Sequence, residues 1–78
     1  QFSRNILENG FDILSALSQD SGFLKSISEA RRSLRENAIS VNKLKVSEKY
    51  ILTSNDLIGN QFILLQRGKK NYFILKFN

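Results

Sequence analysis

Ser26-Ile27-Ser28-Glu29-Ala30-Arg31-Arg32-Ser33-Leu34-Arg35-Glu36-Asn37-Ala38-Ile39-Ser40-Val41-Asn42 begins as a helix and ends as a strand, and that change of period decides the fold class. Ser26 and Glu29 have the S-x-x-E spacing of a capping box, in which each side chain satisfies a free amide of the first turn. Ile27, Ala30 and Leu34 recur at spacings of three and four, the apolar stripe of a helix running to Asn37. After Asn37, Ile39 and Val41 alternate with Ser40 and Asn42, the period of a strand with one buried face. On a helical wheel of about 100° per residue, Arg31, Arg35 and Arg32 stand roughly 40°, 80° and 140° from Ile27, with Glu36 and Glu29 at roughly 180° and 200°. No acidic residue of this helix falls between the arginines. A charged helix face is by default a solvated one, so its meaning depends on the charge elsewhere.

That charge is segregated. The chain has 78 residues, twelve Lys and Arg against seven Asp and Glu, and a formal net charge of +5. Residues 1–24 sum to −2, with Arg4 against Glu8, Asp12 and Asp20. Residues 25–45 sum to +4, with Lys25, Arg31, Arg32, Arg35, Lys43 and Lys45 against Glu29 and Glu36. Residues 46–60 sum to −1, and residues 61–78 sum to +4, from Arg67, Lys69, Lys70 and Lys76 with no acid. Clustered positive charge in a basic domain is the electrostatic footprint of nucleic-acid binding.

Composition narrows the classes further. The length fits one small domain with a modest core. Without cysteine or histidine there is no disulfide framework and no soft metal-ligand cluster, and no carboxylate pair forms a recognisable catalytic site. No apolar run approaches the roughly 18 residues of a membrane span. The opening Gln-Phe-Ser-Arg has neither the apolar region of a signal peptide nor an initiator methionine, which reads as a piece of a longer chain. Residues 1–10 are polar, end in Glu-Asn-Gly and read as a linker from a preceding part of that chain, weakly anchored by Phe2, Ile6 and Leu7. The domain then covers residues 11–78.

Within it, Ile13, Leu14 and Leu17 predict a first helix over residues 12–20, opened by Asp12 and closed by Gly22. Leu44 and Val46 predict a second short strand, joined to the first by a tight turn at Asn42-Lys43. Tyr50-Ile51-Leu52 predicts another strand, and Asn55-Asp56 and Gly59-Asn60 predict turns. Residues 61–66 and 72–77 form the clearest hairpin, its tip being Arg67-Gly68-Lys69-Lys70-Asn71, where Gly68 and Asn71 tolerate positive φ. Cations crowded at a tip repel one another, which favours a partner over mere solubility. The six Phe are expected in the core, with Tyr72 and Tyr50 as weaker candidates for stacking on bases.

Ser26-Ile27-Ser28-Glu29-Ala30-Arg31-Arg32, then Ile39-Ser40-Val41-Asn42 and Lys45-Val46, resemble the S-four RNA-binding domain, named after a small-subunit ribosomal protein. The closing Leu64-Leu65-Gln66-Arg67-Gly68-Lys69-Lys70-Asn71-Tyr72 resembles the end of bacterial-type tyrosyl-tRNA synthetases. The resemblance implies an α+β fold with two N-terminal helices packed on a small, mostly antiparallel curved sheet that ends in a β-hairpin. It implies a cytoplasmic domain that grips the anticodon stem and long variable arm of tyrosine tRNA. A separate catalytic part, using ATP with magnesium, would attach the amino acid. This part of the chain would itself be non-catalytic, without cofactor, metal or membrane contact, monomeric alone and carried by a homodimeric enzyme. Lys43 departs from the family, standing where the turn glycine is usual.

The expected RNA contacts are therefore Arg31, Arg32 and Arg35 as donor forks for phosphates, with Lys25, Lys43 and Lys45 at the edge of the same surface. Arg67, Lys69 and Lys70 supply a second contact from the hairpin, and Ser28 and Asn42, which stand in the matched motifs, complete the set. Two other readings stay open: an S-four-type domain of a pseudouridine synthase or a ribosome-associated heat-shock protein, and a basic module that binds an acidic protein surface.

Overall fold

The computed structural model describes residues 2–18 and 21–77. In chain order these form helix α1 (Asn5–Glu8), strand β1 (Phe11–Asp12), helix α2 (Ile13–Leu17), helix α3 (Ile27–Arg35), strands β2 (Ile39–Val41), β3 (Leu44–Lys45) and β4 (Ile51–Leu52), a 3-10 turn (Ser54–Asp56), and strands β5 (Phe62–Arg67) and β6 (Asn71–Lys76). Apart from the two-residue β1, the helices precede the strands, the α+β arrangement that the sequence predicts.

Local chemistry accounts for the helix ends. Asp12 accepts from the Ser15 amide at 3.4 Å and opens α2. Gly22, at φ +75°, turns the chain beyond α2 so that the Leu24 amide reaches the Leu17 carbonyl at 2.8 Å. Residues 19 and 20, which the sequence adds to this helix, lie outside the described residues. Ser26 caps α3 by accepting from the Glu29 amide at 3.1 Å. The reciprocal half of the expected capping box is displaced by one residue, because the Glu29 carboxylate accepts from the Lys25 amide at 3.3 Å. Asn37, at φ +61°, ends α3, and the Ala38 amide folds back to the Ser33 carbonyl at 2.9 Å.

β3, β2, β5 and β6 form a four-stranded antiparallel sheet in that order, and β1 pairs with β4 in a separate antiparallel ladder. Asn42 and Lys43, at φ +51° and +72°, make the two-residue turn between β2 and β3, the mirror-image turn that suits strand twist. In the β5–β6 hairpin Arg67 pairs with Asn71, so both end strands and the loop is Gly68-Lys69-Lys70; Gly68 alone takes the positive φ expected also of Asn71. Ile39 and Val41 of β2, Ile63 and Leu65 of β5 and Leu75 of β6 are buried together with Ile13, Ala16 and Leu17 of α2 and Ala30 and Leu34 of α3. Burial of this apolar surface, at about 25 cal/mol per Å², is the main force holding the layers together.

Three expectations are corrected. Residues 2–10 are part of the folded unit and not a bare linker. Leu7 is 2% exposed, the Phe2 ring lies 5.6 Å from both Phe11 and Phe77, and Arg4 donates to the Asn60 carbonyl at 2.6 Å. Gly10 permits this packing: it sits at φ +85°, and a Cβ there would lie 2.8 Å from Ile51 Cγ2. Leu44 lies across from Val41 yet is 72% exposed, since β3 is a two-residue edge strand with nothing described over it. Phe62 leaves the expected core for the outer face of the sheet, where Tyr72 and Ile74 also stand exposed.

Candidate nucleic-acid interface

Arg31, Arg32 and Arg35 are exposed on α3, as the wheel predicts. The sector is not free of acid, however. The segment after β3 crosses beside the helix and sets Glu48 between two of its arginines, 3.6 Å from Arg31 Nε and 3.5 Å from Arg35 Nε. These are partly solvated pairs, and such pairs contribute about 0.2–1 kcal/mol each. Arg32 has no ion-pair partner among the described residues.

The hairpin is tied to the same helix. Arg67 Nη1 lies 2.8 Å from Glu29 Oε1, and the Gly68 amide donates to the Ala38 carbonyl at 2.9 Å. Glu29 thus serves the Lys25 amide with one oxygen and Arg67 with the other, joining the start of α3 to the end of β5. Through these links the end of β5 and the loop that follows it are held to α3 and to the residue just beyond its end. Gln66 Nε2 donates to the Gly68 carbonyl at 2.8 Å and stiffens the loop from which Lys69 and Lys70 project into solvent. Arg67 itself is only partly exposed and is committed to Glu29, so it supports the tip more than it extends it.

The remaining predicted residues divide. Lys25 and Ser28 are exposed at the start of α3. Lys45 Nζ donates to the Asn37 carbonyl at 2.8 Å, a cation over the negative end of a helix. Lys43 is exposed on the β2–β3 turn, at the end of β2 away from Ala38 and the hairpin tip. Asn42 is bound into the fold at both ends of its amide: Nδ2 donates to the Asp56 carbonyl, and Oδ1 accepts from the Leu64 amide at 2.9 Å. Of the two tyrosines, Tyr72 is 49% exposed beside the tip. Tyr50 instead donates its hydroxyl to Asp56 Oδ1 at 2.5 Å, and this bond, with burial and the nearby negative charge, pushes its pKa up to about 12. Among the described residues no helix is long and apolar enough to cross a membrane, and no group of three or more Asp or Glu is placed to hold a metal ion.

Glu48 and the Tyr50–Asp56 pair are what the sequence reading missed. Both lie in the near-neutral segment 46–60, where no period or motif signals a contact with α3 or with the 3-10 turn.

The geometry can be set beside known proteins. The family described as the tyrosine–tRNA ligase SYY-like C-terminal domain matches residues 3–75. The tyrosine–tRNA ligase of Flavobacterium johnsoniae is 59% identical over 70 residues, covering 90% of this chain and 16% of that protein. That of Flavobacterium psychrophilum is 55% identical over 75 residues, covering 96% of this chain and 17% of that protein. The Escherichia coli enzyme is 39% identical over 70 residues, covering 88% and 16%. The chain therefore spans about a sixth of the length of these relatives.

Proposed function

Because the chain belongs to the family of tyrosine–tRNA ligase C-terminal domains, we propose that it binds tyrosine tRNA, gripping the anticodon stem and the long variable arm while the rest of a ligase performs the chemistry. The observation that carries this reading is the joining of the arginine helix to the basic hairpin through Arg67–Glu29 and Gly68–Ala38. One rigid side of the domain then offers Lys25, Arg31, Arg32, Arg35, Lys69 and Lys70 to a phosphate backbone, with Ser28 and Lys45 beside them and Lys43 as an outlying contact. The contacts would position an RNA helix by its shape, since base edges in the deep groove of A-form RNA are out of reach.

Glu48 fits this scheme as a placeholder. In the free domain it sits 3.6 and 3.5 Å from the Arg31 and Arg35 Nε atoms, where a phosphate would stand in the complex. An arriving phosphate, two of whose oxygens match the planar fork of either guanidinium, can take its place. The activity of the whole enzyme belongs to the same proposal: ATP-dependent, magnesium-assisted tyrosylation of tRNA in the cytoplasm, by a homodimer whose isolated C-terminal domain is monomeric and needs no cofactor. The catalytic part would share the grip on tRNA through effective concentration.

Salt dependence tests the electrostatic core of the reading. With about six phosphates neutralised, log K should fall against log salt with a slope of roughly −4 to −5. A slope near zero sinks it.

A further inference from the structure

β6 is the edge strand of the four-stranded sheet. In an antiparallel pair, residues alternate between turning both backbone polar groups toward the partner strand and turning both away. The Phe77 amide donates to the Gln61 carbonyl, in line with β5, so Tyr72, Ile74 and Lys76 turn their N–H and C=O groups away from β5. The only described residue that meets this edge is Phe2, whose amide donates to the Lys76 carbonyl at 2.8 Å as it pairs in parallel with Phe77.

Two of the three residues turned outward, Tyr72 and Ile74, are also large and apolar, and Lys76 is the one charge among them. Ile74 is 59% and Tyr72 is 49% exposed, and the strand carries no proline or bulge to blunt it. Natural proteins cover or disrupt such edges, because they template pairing with other chains.

The direction of the Phe2 bridge says what covers it. In a parallel pairing, the chain running back from Phe2 passes Leu75, Phe73 and then the hairpin tip, along the whole free edge. The family is a C-terminal domain, and the chain spans only about a sixth of its relatives, so a ligase of that kind carries a long preceding segment. We infer that the residues immediately upstream of Gln1 in the parent ligase continue the pairing that Phe2 begins and lie along β6 as a fifth, parallel strand. This is strand addition within one chain. The second residue upstream of Phe2 donates to the Ile74 carbonyl and accepts from the Lys76 amide. The fourth donates to the Tyr72 carbonyl and accepts from the Ile74 amide. The added strand fixes the domain's orientation at its entry point, and it rests on family membership alone, whatever RNA is bound.

Hydrogen exchange on the intact ligase, free of tRNA, tests this. The Ile74 and Lys76 amides should exchange at least about a hundredfold more slowly than open amides, unchanged on dilution of the enzyme. Proline at the second or fourth residue upstream of Phe2 should restore fast exchange there, while proline at the third, whose amide points away from β6, should not. The Leu75 amide, which faces β5, should stay protected throughout and so reports an intact domain. Fast exchange at Ile74 and Lys76 in the unaltered ligase overturns the inference. Protection that survives every proline, or disappears on dilution, also overturns it, by assigning the edge to another part of the enzyme or to a second copy.

Discussion

Replacing Glu48 by glutamine separates the two jobs open to Arg31 and Arg35. In the free domain the carboxylate lies 3.6 and 3.5 Å from their Nε atoms, with side-chain exposures of 45%, 66% and 34% for Arg31, Arg35 and Glu48. At such exposure each pair contributes at most about 1 kcal/mol and usually less. Glu48→Gln should therefore cost roughly 0.5–1 kcal/mol, a melting shift of a few degrees for a domain of this size. Binding should move the other way. A phosphate about 4 Å from the carboxylate is repelled by roughly 1 kcal/mol at the dielectric constant of water, so its neutral isostere should bind tyrosine tRNA about fivefold more tightly. The salt slope should steepen by up to about 0.9, the contribution of one additional phosphate contact. Fluorescence anisotropy at three salt concentrations, with a circular-dichroism melt of each protein, reads both quantities. Weaker binding by a variant that still melts cooperatively would refute the placeholder role. A change in affinity below about twofold would remove Arg31 and Arg35 from the interface.

Three further substitutions probe the fold around the site. Ser33 is fully buried on α3 and its hydroxyl has no hydrogen-bond partner among the described residues, so Ser33→Ala should stabilise the domain by about 1–2 kcal/mol, seen as a higher melting temperature; a lower one would show an unrecognised bond. Tyr50→Phe loses a hydrogen bond to the Asp56 carboxylate and should cost about 1.5 kcal/mol in denaturant unfolding. The phenol pKa is raised from 10 to about 12, so the stability linked to it is complete below pH 10 and is lost as pH rises through about 12. The phenylalanine variant should lack that alkaline decline, and an identical decline in both proteins would place its cause elsewhere. Lys43→Gly relieves a left-handed lysine at φ +72° worth about 1–2 kcal/mol, less about 0.5–1 for the extra freedom of the unfolded glycine. Stability should hold or rise by about 1 kcal/mol while tRNA affinity falls about threefold to fivefold; a loss of both would make the lysine structural.

The parts legible in the sequence are those that local rules govern. Ser26 announces the start of α3, Gly22 the end of the preceding turn, and the change of period after Asn37 the start of β2. Asn42 and Gly68 mark hairpin turns through the conformations they can adopt, and Lys43 takes a left-handed conformation that nothing in its type announces. Contacts between distant segments leave no such mark. The sequence puts Arg31, Arg32 and Arg35 on one sector, but that Glu48 lies between two of them depends on the path of the chain after β3. Glu29 looks like half of a capping box, and only the arrival of Arg67 from β5 explains why its carboxylate reaches outward. Residues 2–10 look like a linker because they are polar on average, while a single buried leucine and one phenylalanine ring hold them to the core. Alternation places Leu44 on the core face correctly, but the pattern carries no information on how far the helices extend over that edge.

The central claim is that this basic side recognises tyrosine tRNA through its variable arm as well as its anticodon stem. Titrating residues 1–78 with tyrosine tRNA, and with the same tRNA shortened to a minimal variable arm, tests it most directly. Loss of the arm should lower affinity by about tenfold or more, as expected if two or more phosphate contacts go with it. Equal affinity for both RNAs, at a salt concentration where binding is measurable, would contradict the account.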